Sequence, residues 1–390
     1  MAAERVAILH DWLVTWGGAE RVLEQMLACF PDADVFCIVE DLDAERRGVL
    51  DGRRGVLDGR RVHTSFIQRL PRAKRAYWHY AGLMPLAVEQ FDLRGYDLVL
   101  SSSHAVALGA ITGPDQLHVS FLHSPMRFAW DLQPMYLESF GFATGPKSLA
   151  ARLLLHYLRN WDRGAANGVD RMLTCSQFAA RRIAKVHRRA AAVVHPPVDV
   201  ERFALSESRG SYFLTGSRMN PFKRIDAVVE AFRELPDQRL LVLGDGPDLP
   251  KIRALAGPNV ELLGHVSDAE VRRRMQGASA FVHAATEDFG IAMGEAQACG
   301  TPVVALGAGG ACEIVRDAAH APAPTGVLFD EPSPAGVRRG VERFLALREQ
   351  FDPATCRENA LRFSEQRFRE ELLEQVEIAR RDFAAGVRTT

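Results

Sequence analysis

Short apolar runs of strand length alternate with segments of helical period along nearly all of this 390-residue chain, and that alternation limits its fold more than any other feature. Val6–Leu9 reads as a strand, and Ala19–Phe30 as an amphipathic helix with Val22, Leu23, Met26 and Leu27 on one face. Asp34–Val39, Leu98–Leu100, His118–Leu122 and Arg171–Thr174 read as further strands, the last entering a helix capped by Ser176. After Val193–His195, two prolines stop regular structure, and the polar stretch to Gly210 reads as an interdomain linker. Strands then recur at Tyr212–Thr215, Arg239–Leu243, Val260–Leu263, Ala280–His283, Val303–Leu306 and Val327–Phe329, with helices predicted at 224–234, 249–256, 268–276 and 290–298. Repeated strand–helix–strand units imply parallel sheets covered by helices on both faces. The chain is too long for one ordinary core, so a bilobed α/β protein is expected, with a cleft where the strand C-termini of the two lobes meet. A long charged helix, about Ser364–Phe383, ends it.

Composition removes several classes. Hydrophobic residues make up 47% and charged residues 25%, average values that exclude disorder and fibrous architectures. No apolar run approaches the roughly 20 residues that span a bilayer. The N-terminus has no signal-peptide layout, so a cytoplasmic protein is expected. Six scattered cysteines without CxxC spacing argue against disulfide scaffolds and zinc ribbons. A net charge of −1 gives no bulk case for nucleic acid. Locally, Arg46–Arg94 holds 11 Arg and Lys against 4 acids, with Arg69, Arg72, Lys74 and Arg75 beside Tyr77 and Trp78. That stretch is either a solvated basic face or a patch for an anionic membrane. The identical heptads Arg47–Arg53 and Arg54–Arg60 read as a duplication in a surface loop.

Four segments could carry chemistry. In Glu287–Glu295 a strand feeds a loop and a helix starting near Gly290, which places N–H groups of Phe289, Gly290 and Ile291 where a phosphate is favoured. Glu287 and Glu295 are then a cleft-facing carboxylate and a hydroxyl ligand, or else a cap and a solvated acid. Ser217–Arg224 follows a strand end, and Arg218 and Lys223 could neutralise a diphosphate without a metal. Cations are disfavoured at a helix start, which weighs against a purely structural role. Gly17 and Gly18 join the first strand to the first helix, where small residues admit close approach; the motif is not GxGxxG, which argues against a dinucleotide cofactor. His123 follows strand His118–Leu122, and is either a ligand to substrate or a structural histidine.

Together these segments resemble the retaining family 4 glycosyltransferases, of GT-B fold, in which two Rossmann-like domains with parallel sheets face across a cleft. The resemblance rests on E-x7-E from Glu287 to Glu295, SR-x4-K from Ser217 to Lys223, the glycine pair, His123, the GDGP at Gly244–Pro247 and Asn259–Asp268. More narrowly, Ser101–Gly109, His123–Asp131 and His195–Phe203 are similar to a branch of O-antigen and exopolysaccharide mannosyltransferases that use GDP-mannose. The resemblance implies an acceptor-binding domain over 1–196, a linker over 197–210, a nucleotide-sugar domain over 211–363 and a helix over 364–390 packing back towards the first domain. It implies diphosphate contacts for Arg218 and Lys223, a place beside the transferred sugar for Glu287, and backbone donors from Phe289, Gly290 and Ile291. Glu295 would bind the ribose, and Gly264, His265 and Val266 would meet the base. Gly17 and Gly18 would lie near the diphosphate and acceptor, and His123 near a sugar hydroxyl.

The implied reaction transfers a hexose with retention, without metal or cofactor, onto a saccharide acceptor linked to polyprenyl diphosphate, with peripheral contact at the inner face of the cytoplasmic membrane. Same-face attack with proton transfer to the leaving phosphate is preferred to a covalent intermediate on Glu287. The rival readings are a UDP-hexose donor, a phosphorylase or epimerase, and a non-catalytic sugar-nucleotide-binding scaffold.

Overall fold

The computed structural model describes residues 4–42, 49–50, 53–54, 57, 60–206 and 209–387. The chain divides into two compact units, Met1–Pro196 with Phe368–Thr390, and Pro197–Arg367.

The strands of the first unit are β1 Val6–His10, β2 Asp34–Cys37, β3 Val49–Leu50, β4 Arg53–Arg54, β5 Val62–Thr64, β6 Leu98–Ser103, β7 Leu117–Leu122, β8 Arg171–Thr174 and β9 Ala192–Val193. Seven of them form one sheet in the order β5-β2-β1-β6-β7-β8-β9, every pair parallel. β6 and β7 are buried at every position, as expected of central strands in a sheet covered on both faces. β3 and β4 form a separate antiparallel pair. They belong to the duplicated heptads, most of whose residues lie outside those described. Arg60, which ends the second heptad, donates to the carbonyls of Leu27 and Pro31 at the C-terminal end of the first helix, where a cation is favoured.

The second unit runs β10 Tyr212–Gly216, β11 Arg239–Leu243, β12 Val260–Gly264, β13 Ala280–His283, β14 Val303–Leu306 and β15 Gly326–Phe329. They form one parallel sheet in the order β12-β11-β10-β13-β14-β15. Each sheet changes winding direction once, between β1 and β6 and between β10 and β13. In open α/β sheets the carboxyl ends of strands at such a switch point are where ligands bind.

Helix ends follow local chemistry. Ser176 accepts from the Ala179 N–H and Ser267 from the Glu270 N–H, each satisfying an orphan donor of a first turn. The terminal helix, Glu365–Ala384, buries Phe368, Leu372 and Val376, and its Arg369 donates to Gln25 and Arg171 reaches its Gln375, all within the first unit. The stretch read as a linker is not free chain. Val198 and Phe203 are buried, Val198 N–H donates to Phe363 O at 2.7 Å, and Arg357 donates to the carbonyls of Val200 and Phe203. Its apolar residues dock it on the second unit, whereas its average polarity suggested otherwise. Among the described residues no helix is long and apolar enough to cross a membrane.

Candidate functional site

In the second unit the candidate residues gather at the switch point. β10 ends at Gly216, and Ser217–Asn220 leads into a single 3-10 turn, Pro221–Lys223. β13 ends at His283 and is followed by a loop to the helix Ile291–Ala298, with Gly290 at its N-cap. Lying on adjacent strand ends, Lys223 and Glu287 meet: Lys223 Nζ is 2.5 Å from Glu287 Oε1, and His283 Nε2 is 3.4 Å from the same oxygen. Burial works against ionising Glu287, but Lys223 and His283 overcome it and hold its carboxyl well below the usual range. The result is a carboxylate fixed between the Lys223 ammonium and the His283 imidazole, with the ammonium held on the turn that follows β10. Arg218 is exposed on the same loop and has no side-chain partner among the described residues.

Three glycines in two turns pack this corner. Gly244, at φ +109, and Gly246, at φ +154, lie so close to the Ser217 and Met219 backbone that a Cβ would fall 1.9 Å from Ser217 O and 2.7 Å from Met219 O. Met219 N–H donates to Asp245 O and Ser217 N–H to Leu243 O, so the Arg218 loop is laced to the turn after β11. Gly310 N–H donates to Glu287 O, and a Cβ on Gly310 would stand 2.2 Å from Phe289 O and 2.4 Å from Phe289 Cα. Because the obstacle is backbone, Gly310→Ala is expected to displace the Glu287–Phe289 loop at a cost of about 1–3 kcal/mol. A lowered thermal midpoint together with weaker nucleotide binding checks this; an unchanged nucleotide affinity would show that the loop does not shape a ligand site. The signal for this contact was the run Gly307-Ala308-Gly309-Gly310 directly after a strand, a glycine-rich turn that the sequence reading passed over.

The other residues of this unit sit further out. Gly264, at φ +68, ends edge strand β12, accepts from the Gly244 N–H and leads to exposed His265 and half-buried Val266. Phe289 is buried with its ring edge-on to Phe363. Gly290, at φ +100, needs its glycine, and its carbonyl accepts from the Met293 N–H at 2.9 Å, which closes the first turn of the helix. Glu295 is buried one turn into that helix.

In the first unit the sequence candidates are Gly17, Gly18 and His123, and the structure surrounds them with groups the sequence reading missed. Gly17 is extended rather than left-handed, and its N–H donates to Glu20 Oε2 at 2.8 Å, so it closes the helix start instead of offering that donor to a ligand. Gly18 is the first residue of the helix. His123 Nε2 is 3.0 Å from Ser102 Oγ, and the same hydroxyl lies 3.1 Å from His10 Nδ1. Burial, then the neighbouring His104 and His10, push the His123 pKa down to about 3, so it is a neutral ring near pH 7. Behind it His10 Nε2 stands 3.6 Å from Glu20 Oε1. Asp11, fully buried at the end of β1, accepts four backbone N–H bonds from His104, Ala105, Val106 and Ala107, and His104 Nδ1 lies 2.9 Å from it. Burial opposes the Asp11 charge, but His104 and these contacts hold its carboxyl far below the usual range. The imidazole of His104 is correspondingly raised by Asp11 against the effect of burial, and its side chain is 32% exposed. This is a rigid polar group at the β1/β6 switch point, able to hold a hydroxyl-rich ligand.

Comparison with known proteins follows the same division. Residues 16–202 match the model described as Glycosyltransferase Family 4, and residues 197–363 the model described as Glycosyl transferases group 1. A D-inositol 3-phosphate glycosyltransferase of Mycobacterium leprae is 31% identical over 185 residues, 40% of this chain and 42% of that protein. The chain thus matches less than half the length of that relative. Among solved structures, Anabaena Alr3699/HepE in complex with UDP and glucose superposes with a TM-score of 0.67 at 17% identity, over 96% of this chain and all of that one. The catalytic domain of starch synthase IV from Arabidopsis thaliana, bound to ADP and acarbose, gives 0.66 at 14% identity, over 97% and 99% of the two chains. At such identities the likeness concerns the fold, which is GT-B with two Rossmann-like α/β domains. Likeness to Glycosyltransferase Family 4 and likeness to Glycosyl transferases group 1 thus follow one another along the chain.

Proposed function

We propose that the chain is a retaining hexosyltransferase that moves mannose from GDP-mannose onto a saccharide linked to polyprenyl diphosphate in the assembly of a surface polysaccharide. The observation that carries the transferase reading is the corner at β10 and β13, where Lys223 is clamped by Glu287 shortly before the helix Ile291–Ala298, and Arg218, without a side-chain partner among the described residues, is exposed on the loop that leads to Lys223. Breaking a sugar–phosphate bond puts negative charge on the departing diphosphate, and fixed cations stabilise that charge as it develops. Arg218 and Lys223 take the diphosphate, with Phe289, Gly290 and Ile291 supplying backbone donors. Glu287 keeps Lys223 aimed and lies beside the transferred sugar. Glu295 binds the ribose, and Gly264, His265 and Val266 meet the base. Gly17, Gly18 and His123 serve the diphosphate, acceptor and sugar hydroxyls. The acceptor hydroxyl attacks the anomeric carbon as the carbon–phosphate oxygen bond breaks, and its proton passes to the leaving phosphate.

The mannose assignment draws on the similarity of Ser101–Gly109, His123–Asp131 and His195–Phe203 to mannosyltransferase segments. A second reading, a phosphorylated polyol as acceptor, draws on the name of the mycobacterial relative. Binding measured against GDP, UDP and ADP, followed by product mass with GDP-mannose and a lipid-linked acceptor pool, separates the readings. The expected result is tightest binding of GDP and a mannosylated lipid formed equally well in EDTA. A preference for UDP overturns the mannose assignment, a product on inositol phosphate favours the second reading, and loss of activity in EDTA overturns charge neutralisation by Arg218 and Lys223 alone.

A further inference from the structure

We infer that Glu20, His10 and Ser102 form a buried chain that keeps Nδ1 of His123 unprotonated, so that His123 offers its substrate a hydrogen-bond acceptor and not a donor. The chain runs across the carboxyl ends of β1, β6 and β7. Glu20 stands in the first turn of the helix Gly18–Cys29, and His10 ends β1. Ser102 lies opposite His10 in the β1–β6 register, and His123 follows β7 directly. Glu20, His10 and Ser102 are exposed by only 4%, 2% and 0%, so each proton is placed by its neighbours in the chain.

Direction follows from the one member that can only accept. Burial opposes the Glu20 charge, but His10 and His104 outweigh it and hold the carboxyl below its usual range. Glu20 Oε2 accepts the Gly17 N–H at 2.8 Å, and Oε1 faces His10 Nε2 at 3.6 Å. That separation is long for a hydrogen bond, yet His10 Nε2 is buried with no nearer partner among the described residues, and the carboxylate draws the ring proton to it. His10 Nδ1 is then bare and accepts the Ser102 hydroxyl at 3.1 Å. The hydroxyl oxygen, its own proton engaged there, accepts from His123 Nε2–H at 3.0 Å. A neutral imidazole carries a single N–H, so Nδ1 of His123 is left bare, without a partner among the described residues. Glu20, His10 and Ser102 are thus positioning residues. The inference rests on the reading above only for the ligand, a sugar hydroxyl that donates to Nδ1. The state of the ring is measured without substrate, so either can fail alone.

Nitrogen-15 NMR of the histidine rings in the full chain at pH 8, more than one unit above the ordinary imidazole pKa of about 6.5, is the experiment. A second proton on His10 would occupy Nδ1 and turn the chain round, hence the alkaline pH. His123, assigned by the signals lost in His123→Gln, is expected to show a protonated Nε2 and a bare Nδ1. Glu20→Gln should reverse this. The new side-chain oxygen is held by the Gly17 N–H, its NH2 faces His10 Nε2, and the proton shifts to Nδ1 of His10 and in turn of His123. Ser102→Ala cuts the chain and should leave His123 in both tautomers. With GDP-mannose as donor, kcat/KM should fall about three- to tenfold in both variants, the scale of one hydrogen bond. A protonated Nδ1 in the parent, a His123 tautomer unmoved by Glu20→Gln, or variants that lose thermal stability with kcat/KM unchanged would each overturn the inference.

Discussion

Lys223→Ala is expected to lower turnover about 10²–10³-fold, the scale for removing one preorganised donor from a site of developing charge. It also leaves Glu287, whose side chain is 13% exposed, with only His283 at 3.4 Å, and stripping a buried charge of its partner costs about 3–5 kcal/mol of stability. Turnover could then fall merely because the protein unfolds, so the decisive variant is Lys223→Met combined with Glu287→Gln. With both charges gone no ion is stranded, and stability should return close to that of the parent. On the proposed function turnover should stay low, because the cation assigned to the diphosphate is still missing. Arg218→Ala is the companion: exposed and unpaired among the described residues, Arg218 should on replacement cost turnover on a similar scale with the thermal midpoint unmoved. The acid limb follows from the same pair. Glu287 is depressed in the folded state, so its contribution is present above the unfolded carboxyl pKa of about 4.3 and disappears as pH falls towards the folded value. Glu287→Gln should flatten that limb of the stability profile. A double variant that recovers turnover as well as stability would reduce Lys223 to a counter-ion.

How far the sequence revealed this corner depends on the reach of each interaction. Arg171–Thr174, Arg239–Leu243, Ala280–His283, Val303–Leu306 and Asp268–Gln276 coincide with the elements found, because period and turn residues are local signals. The helix Pro146–Ala165 was missed for a physical reason: Leu149 and Leu153 lie on one side and Leu155 and Leu158 on another, so no single apolar stripe stands out. Lys223 and Glu287 could each be singled out from its own loop, but their pairing spans 64 residues and exists only because β10 lies against β13. Asp11 carried no signal at all. Its role appears when β6, more than 90 residues on, pairs with β1 and delivers the amides of His104–Ala107 to its carboxylate.

Asp11→Asn is accordingly expected to be the most destabilising substitution of similar shape in the first unit. The amide has one acceptor oxygen where the carboxylate has two, and its NH2 would face backbone N–H groups that need an acceptor. Orphaning the amides of Val106 and Ala107 costs about 1–3 kcal/mol each, before the loss of charge beside His104 is counted. The pH profile distinguishes this from simple loss of packing. Asp11 is depressed in the fold, so its share of stability is complete above the unfolded pKa of about 3.9 and is lost as pH falls below it. His104 is raised, so its share is complete below the unfolded value of about 6.5 and is lost as pH climbs through the folded one. One ion pair thus shapes both flanks. In urea titrations across pH, Asp11→Asn should lower the plateau and flatten both limbs, whereas His104→Gln, which keeps Asp11 and its four amides, should flatten the alkaline limb and leave most of the plateau. Equal plateaus for Asp11→Asn and the parent would mean that the loop after β6 is held by something other than this carboxylate.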